Sequence, residues 1–147
     1  MERIRYIVNV EAAMYKDDKW LITKRSEKEE NAPGVLAFVG GKVSLEEVGI
    51  GVLENTLRRE IREETGLEIK DNIRYLESKM FYADTGEPVV DIVFLCEYAS
   101  GELCIDPDEI GEACWMTYSE ILSCIDAPEW LTESVHKAEK ARRETEL

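Results

Sequence analysis

The chain has 147 residues, a length that fits one domain able to bury roughly 70% of the surface its unfolded chain exposes. Hydrophobic residues make up 44% and charged residues 34%, which is typical of globular proteins and excludes a disordered or fibrous chain. The net charge of -14 repels nucleic acid backbones and anionic membranes. We therefore predict a single domain, residues 1–147, whose partners include no nucleic acid polymer and no membrane.

The cysteine pattern and the first residues indicate the cellular compartment of the protein. No two cysteines form a C-x-x-C pair, which favours reduced core or near-core thiols over a zinc site. We expect no signal peptide from the polar residues at the start, and no apolar run approaches the roughly 20 residues of a membrane span. We expect a cytoplasmic protein with four free thiols: Cys96, Cys104, Cys114 and Cys124.

The first third of the chain has the pattern of strands and turns. Alternating apolar residues predict a strand from Ile4 to Met14, and Trp20 to Ile22 predict a second one after a charged turn. A polar loop from Ser26 to Pro33 precedes a short apolar strand, Val35 to Val39. We expect this strand to end in a sharp turn at Gly40-Gly41.

The best-supported helix follows. Leu53, Leu57 and Ile61 recur every four residues, and Gly66 is a typical residue after a helix C-terminus. Later segments predict mostly antiparallel strands and then two helices, the last interpreted as a solvated helix that caps the sheet. The strands are expected at residues 67–69, 73–82 and 89–98, and the helices at 118–125 and 131–146. The whole predicts an α/β domain with a mixed sheet between helices.

Three glutamates border the apolar stripe of the first helix. At roughly 100° per residue, Glu60, Glu63 and Glu64 fall within about 80° of Leu53, whereas a merely solvated acidic face would lie on the far side, near Arg58. Like charges three and four residues apart repel, and partial burial raises that cost. Carboxylates grouped without histidine or thiolate suit a hard ion such as Mg²⁺ or Mn²⁺. The spacing therefore predicts a metal site.

The stretch from Arg59 to Leu67, R-E-I-R-E-E-T-G-L, resembles the second half of the Nudix box, which runs Arg-Glu-apolar-x-Glu-Glu-x-Gly-apolar. Gly41, five residues and then Glu47 are similar to its opening. The family places seven residues between that glutamate and the arginine, whereas eleven separate them here, so we place a four-residue insertion around 48–51. The resemblance implies a Nudix-like α/β/α sandwich with a mixed, largely antiparallel sheet and a catalytic loop-helix-loop.

The same resemblance implies a Mg²⁺-dependent pyrophosphohydrolase, with Mn²⁺ as the alternative ion. It implies that Glu60 and Glu64 hold the metal, with Glu63 and the Gly40 carbonyl nearby. The bound ion would neutralise phosphate charge and activate water, and either Glu63 or Glu109 would accept the proton of that water.

Further residues are candidates because their surroundings resemble the MutT branch of the family. Glu109 precedes Trp115 by six residues, like a loop glutamate that joins the metal or activates water before a strand tryptophan. An exposed acidic loop that only aids solubility is the alternative for Glu109, and we select it over Glu112. Trp115 itself is expected on a strand, and Trp130 in the core or at the rim of a base-binding cleft.

Basic residues around the box are the remaining candidates. By resemblance, Arg25 and Lys42 are expected to contact substrate, with a plain surface charge as the alternative for Arg25. Arg59 is expected to support catalysis by pairing with a carboxylate, Glu47 among them, which fixes the helix against the loop. A capping role next to Ser44 is the structural alternative for Glu47.

Three functions stay open at this stage. The first is a MutT-like enzyme acting on a nucleoside triphosphate, and the second is an ADP-ribose or nucleotide-sugar pyrophosphatase. The third is a non-catalytic nucleotide-sensing module, which the intact trio of glutamates disfavours. All three imply a small nucleotide as the partner, and pairing into a homodimer is expected only because family members often do so.

Overall fold

The computed structural model describes residues 2–145. It contains eight strands and three helices in that range. The strands are β1 (Ile7–Lys16), β2 (Lys19–Arg25), β3 (Leu36–Ala37), β4 (Val39–Lys42), β5 (Glu68–Ile69), β6 (Arg74–Tyr82), β7 (Pro88–Ser100) and β8 (Ile110–Thr117). The helices are α1 (Val52–Thr65), α2 (Tyr118–Ser123) and α3 (Glu129–Thr145).

Strand β1 lies at the centre of one mixed sheet. It pairs in parallel with β7 and antiparallel with β2 and β4. On the far side of β7 lie β5 and β6, and on the far side of β2 lie β3 and β8, all antiparallel to their neighbours. The single parallel pair confirms the prediction of a mixed, largely antiparallel sheet.

The two faces of the sheet carry two separate apolar cores. Because side chains alternate along a strand, Val10 and Ala12 of β1 pack toward Leu57 and Ile61 of α1. The neighbouring Ala13 points to the other face, where Trp20 meets Leu131 and Val135 of α3. Each fully buried side chain of this size contributes roughly 1.5–3 kcal/mol. The helices on both faces confirm the α/β/α sandwich.

The diglycine segment differs from its prediction. Gly40 and Gly41 lie within β4, paired with Glu11 and Val10, so the sharp turn predicted there is wrong. A Cβ atom on Gly40 would overlap the carbonyl oxygen of Val10, and one on Gly41 would overlap the carboxyl group of Glu60. These positions need glycine because backbone and side chain approach closely, and not because the chain reverses.

Other boundaries shift by a few residues. Helix α1 ends as predicted at Gly66, whose φ of 74° lies in the left-handed region that favours glycine. Helix α2 ends at Ser123 and not at residue 125. Strand β8 was not predicted as an element. Trp115 was nevertheless expected on a strand, and it lies on β8. The predicted end of the last helix, Glu146, lies outside the described residues.

Two expectations about the interior need correction. All four cysteines are free and Cys96 is buried, but Cys104 and Cys114 are exposed, so they are not core residues. Helix α3 is more than a solvated cap, because its Glu139 and Arg142 are only 5% and 7% exposed and pair beneath the helix at 2.7 Å. In the range 2–145, no helix is long and apolar enough to cross a membrane.

Candidate active site

A cavity of about 390 Å³ opens where α1 meets β4 and the segments before β3 and β8. It is lined almost entirely by polar and charged side chains. They include most of the residues selected from the sequence, with Arg59 and Glu47 just outside. The lining residues are Asn9, Glu11, Arg25, Glu29, Phe38, Gly40, Gly41, Lys42, Glu60, Glu63, Glu64, Asp106 and Glu109.

Helix α1 brings two of its three glutamates inward. Its apolar stripe is anchored in the core at Leu57 and Ile61, so residues bordering this stripe come to lie beside β4. Glu64 is 8% exposed and the Glu60 side chain 13%, whereas the Glu63 side chain is 59% exposed. The helix therefore presents a buried pair of carboxylates and a third at the cavity rim.

The electrostatics of this pair favour a cation or a proton. Burial raises the pKa of Glu64 to about 9, and the negative charges of Glu60 and Glu109 add to the effect. Burial also raises the pKa of Glu60, against the opposing influence of Arg59. The pKa of Glu109 is raised to about 7, mainly by a hydrogen bond with Glu29 and to a smaller extent by burial. Without a metal ion, the folded protein resists full ionisation of these groups.

The donor set fits a hard divalent ion. Every candidate ligand is an oxygen, which suits Mg²⁺ or Mn²⁺. In the described part of the chain, no three acidic, histidine or cysteine side chains converge enough to enclose an ion in their present rotamers. Mg²⁺ does not require such a cage, because it usually binds one or two carboxylates and completes its shell with water and substrate phosphate. Glu60 and Glu64, which line the cavity together with Gly40, meet that requirement.

Arg59 ties the loop before α1 to the glutamates. Its Nε and Nη2 atoms donate to Glu47 at 3.0 and 2.8 Å, and its Nη1 lies 3.0 Å from both Glu60 and Glu63. The hydrogen bonds from Arg59 hold the pKa of Glu47 at about 2, helped by the Ser44 backbone N–H. The pairing expected between Arg59 and Glu47 is thus present, together with the local contact to Ser44.

The insertion leaves this pairing intact. Gly49 and Gly51 have φ angles of 105° and 76°, which favour glycine and let the added residues form a turn that returns the chain to α1. Leu45, Val48 and Ile50 on this loop are largely exposed. The extra residues therefore lie on the surface and do not separate Glu47 from Arg59.

The two basic candidates occupy different positions on the wall. Arg25 is held by the loop that follows it, because its Nε donates to the Asn31 carbonyl at 3.0 Å and its Nη2 lies 3.4 Å from Glu29. Lys42 is exposed at the end of β4, and its carbonyl accepts a hydrogen bond from Arg59. Both line the cavity, so Arg25 is not a remote surface charge. Glu112 does not line it.

Four polar residues of the cavity were missed by the sequence analysis. Asn9 and Glu11 alternate with the apolar residues of β1, so the pattern predicts that they face away from the α1 core but does not distinguish a site from solvent. Glu29 and Asp106 lie in irregular loops. Loops have no periodicity from which a facing could be predicted, so these two needed the three-dimensional structure.

Comparison with known proteins agrees with the geometry. A model of the NUDIX domain matches residues 5–138. The NAD-capped RNA hydrolase NudC of Escherichia coli is 33% identical over 109 residues, which cover 74% of this chain but only 38% of NudC. The chain thus spans well under half the length of this relative.

Solved structures show the same fold. The MutT protein of Methanosarcina mazei superimposes with a TM-score of 0.77 at 23% identity, covering 97% of this chain and 99% of that one. The MutT NUDIX hydrolase of Burkholderia pseudomallei gives 0.75 at 24% identity, covering 90% and 98%. Members of this family generally use divalent metal ions. With the domain match over most of its length, the chain belongs to the Nudix hydrolase family and is an enzyme.

Proposed function

We propose that this hydrolase is a Mg²⁺-dependent enzyme that cleaves the diphosphate of a nucleoside diphosphate linked to another moiety, with nucleoside triphosphates as the first substrates expected. The observation that carries the proposal is the pair formed by the buried Glu64 and the largely buried Glu60, in one cavity with Arg25 and Lys42. In a chain of net charge -14, cationic side chains facing a metal-binding pair suit a polyphosphate.

The residues in and beside the cavity have different proposed roles. Glu60 and Glu64, with the Gly40 carbonyl, would hold the ion, which when bound neutralises phosphate charge and lowers the pKa of a coordinated water. Arg59 pairs with Glu47 on the preceding loop and with Glu60 and Glu63 on α1, and so holds the loop against the helix. Arg25 and Lys42 would orient the phosphates from the cavity wall.

The proton of the attacking water needs an acceptor on the cavity wall. Glu63 and Glu109 both line the cavity, but the Glu63 carboxylate is already paired with Arg59 at 3.0 Å. Among the described residues, 2–145, no arginine forms an ion pair with Glu109, which shares a hydrogen bond with Glu29. We therefore assign proton acceptance to Glu109, with Glu63 as the alternative.

A second candidate follows from sequence similarity. The 33% identity to a NAD-capped RNA hydrolase favours a nucleoside diphosphate joined to a second nucleoside or a sugar, as in a dinucleotide, ADP-ribose or a nucleotide sugar. The net charge of -14 opposes binding of an attached RNA chain. For this candidate too, we propose that the free small molecule is the substrate.

The test is a substrate panel with product identification. The protein would be incubated with Mg²⁺ and with nucleoside triphosphates, ADP-ribose, NAD and UDP-glucose, and the products followed by ³¹P NMR. A nucleoside triphosphate should give monophosphate and pyrophosphate, whereas the second candidate predicts two phosphomonoesters. Glu54→Gln, on the exposed part of α1, is the matched control for Glu64→Gln. Absence of metal-dependent cleavage across the panel would refute the proposal.

A further inference from the structure

A polar cluster interrupts the apolar face of the sheet that α3 covers. It consists of Asn9, Glu11, Lys79 and Asp91, side by side on β1, β6 and β7. The Asn9 Nδ2 atom donates to Asp91 at 2.7 Å, and the Lys79 Nζ atom lies 3.7 Å from both Glu11 Oε2 and Asp91 Oδ2. Asp91 is fully buried. The cluster thus places two carboxyl groups and one ammonium group inside the protein.

Stability alone does not account for this cluster. Within residues 2–145, Glu11 Oε2, Lys79 Nζ and Asp91 Oδ2 are buried without a partner when both acids are ionised, and Glu11 and Asp91 can hydrogen-bond to each other only when one of them holds a proton. Buried ionic groups that are incompletely satisfied are often no more stable than apolar residues of similar volume. A role outside folding would explain why charged groups occupy a face that is otherwise built from Trp, Leu and Val side chains.

The cluster reaches the active-site cavity through two of its members. Asn9 and Glu11 line the cavity, whereas Lys79 and Asp91 lie behind them. A Cβ atom on Gly40 would contact Glu11, and one on Gly41 would contact Glu60. The two-glycine stretch of β4 therefore separates this polar wall from the buried carboxylates of α1.

Both members present hydrogen-bond acceptors to the cavity. The Asn9 Nδ2 atom donates one of its two N–H groups to Asp91, and the amide oxygen remains available as an acceptor beside the second N–H. Glu11 Oε2 is enclosed next to Lys79, and the Glu11 side chain, which is 13% exposed, lines the cavity. Oxygen acceptors that lie in front of a buried aspartate are in a region of negative charge, which repels phosphate. They suit a ligand group that donates a hydrogen bond and carries no charge.

We propose that Asn9 and Glu11 form a specificity site for the nucleoside part of the substrate, receiving a neutral donor such as a nucleobase amino group or a ribose hydroxyl. Asp91 and Lys79 are positioning residues, and Lys79 is further fixed 4.9 Å over the ring of Trp130. This inference rests on the proposed function, because it assigns the nucleoside of the proposed substrate to Asn9 and Glu11, while its phosphates lie near Glu60 and Glu64.

Binding can be measured without turnover. The intact protein would be titrated in EDTA with AMP, GMP, CMP and UMP and with their 2′-deoxy counterparts, using calorimetry. The wild type should prefer some of these probes over others, and Glu11→Gln, which replaces an acceptor oxygen by a donor, should weaken the preferred one by about 10-fold. Glu133→Gln, exposed on α3, should match the wild type. A preference kept by the deoxy probes identifies the base, and one lost with them identifies the ribose.

Two results would overturn the inference. One is a wild type that binds all eight probes alike, and the other is a Glu11→Gln variant with the wild-type order and affinities. Circular dichroism checks folding, and if Glu11→Gln does not fold, the same loss of preference is required of Asn9→Ala. Discriminating binding in a protein inactive on the whole substrate panel would refute the proposed function alone. Cleavage without discrimination would refute this inference alone.

Discussion

Glu64 combines deep burial with a position at the end of the acidic stripe of α1. Its carboxylate is 8% exposed and faces Glu60 and Glu109, so it meets an ion in the cavity with little rearrangement. Glu64→Gln keeps the shape and removes the charge. We expect turnover to fall by at least about 100-fold, as for the loss of a ligand that anchors a catalytic metal. Unchanged Mg²⁺-dependent turnover would exclude Glu64 as a ligand.

The same burial predicts an unusual dependence of stability on pH in the metal-free protein. The pKa of Glu64 is about 9 in the folded state against an ordinary value of 4.5. A raised folded-state pKa means that this contribution to stability is fully present below about pH 4.5 and is lost as the pH rises toward 9. Between pH 4.5 and 7 the loss is on the order of 3 kcal/mol.

The comparison that isolates this effect is wild type against Glu64→Gln, unfolded by urea in EDTA at several pH values. The variant cannot ionise at this position, so its stability relative to the wild type should rise steadily from pH 5 to pH 8. A difference that does not change with pH would show that Glu64 ionises in the folded protein as it does in water.

Arg59 is the residue through which the loop and α1 act together. Removing its partner by Glu47→Ala would leave the guanidinium with Glu60 and Glu63 only. We expect kcat to fall about 10- to 100-fold, as for other groups that orient metal ligands, and circular dichroism checks that the variant remains folded. Glu46→Ala on the same loop is the control. A kcat equal to that of the control would show that the ion pair does not position the site.

At the scale of elements, α3 is fastened to the sheet by a buried ionic group. Glu139 accepts a hydrogen bond from Trp20 Nε1 at 2.7 Å and pairs with Arg142 at 2.7 Å. Glu139→Ala leaves a buried indole N–H and a guanidinium without this carboxylate. We expect a loss of about 3–5 kcal/mol in the free energy of unfolding, measured in urea. Glu144→Ala, further along the helix, should change it by less than about 0.5 kcal/mol.

The elements differ in how far the sequence could predict them. Helix α1 was predicted because its apolar period and its glycine end act locally and agree. Strand β8 was missed because its exposed Gly111 and Glu112 hide any alternation. The role of Gly40 was misjudged because a glycine demanded by close approach looks, in sequence, like a glycine demanded by a turn.

At the scale of the whole molecule, the site joins distant segments. The glutamates of α1 belong to one local motif and could be selected from spacing and resemblance. Asn9, Glu11, Glu29 and Asp106 are contributed by other strands and loops, and only the pairing of β1 with β4 and β7 brings the first two to the cavity. Long-range pairing of this kind leaves no local signal, because a polar residue of an alternating strand has the same pattern whether it faces solvent or a site.

The net charge of -14 makes metal binding a property of the entire molecule as well as of the site. Cations of any kind gather around a polyanion, so a rise in melting temperature with Mg²⁺ has a screening part and a site part. At a Mg²⁺ concentration 100 times the dissociation constant, the site part is worth roughly 2.7 kcal/mol. For a domain of this size, that corresponds to roughly 5–11 °C.

The two parts separate when Mg²⁺ is compared with NaCl at equal ionic strength. Screening acts alike on the wild type and on a Glu60→Gln, Glu64→Gln double variant, which loses only two of the 32 acidic residues. The extra stabilisation by Mg²⁺ should therefore appear in the wild type and vanish in the double variant. An equal gain in both proteins would mean that Mg²⁺ acts through the overall charge, and that the two carboxylates of α1 hold no ion in the absence of substrate.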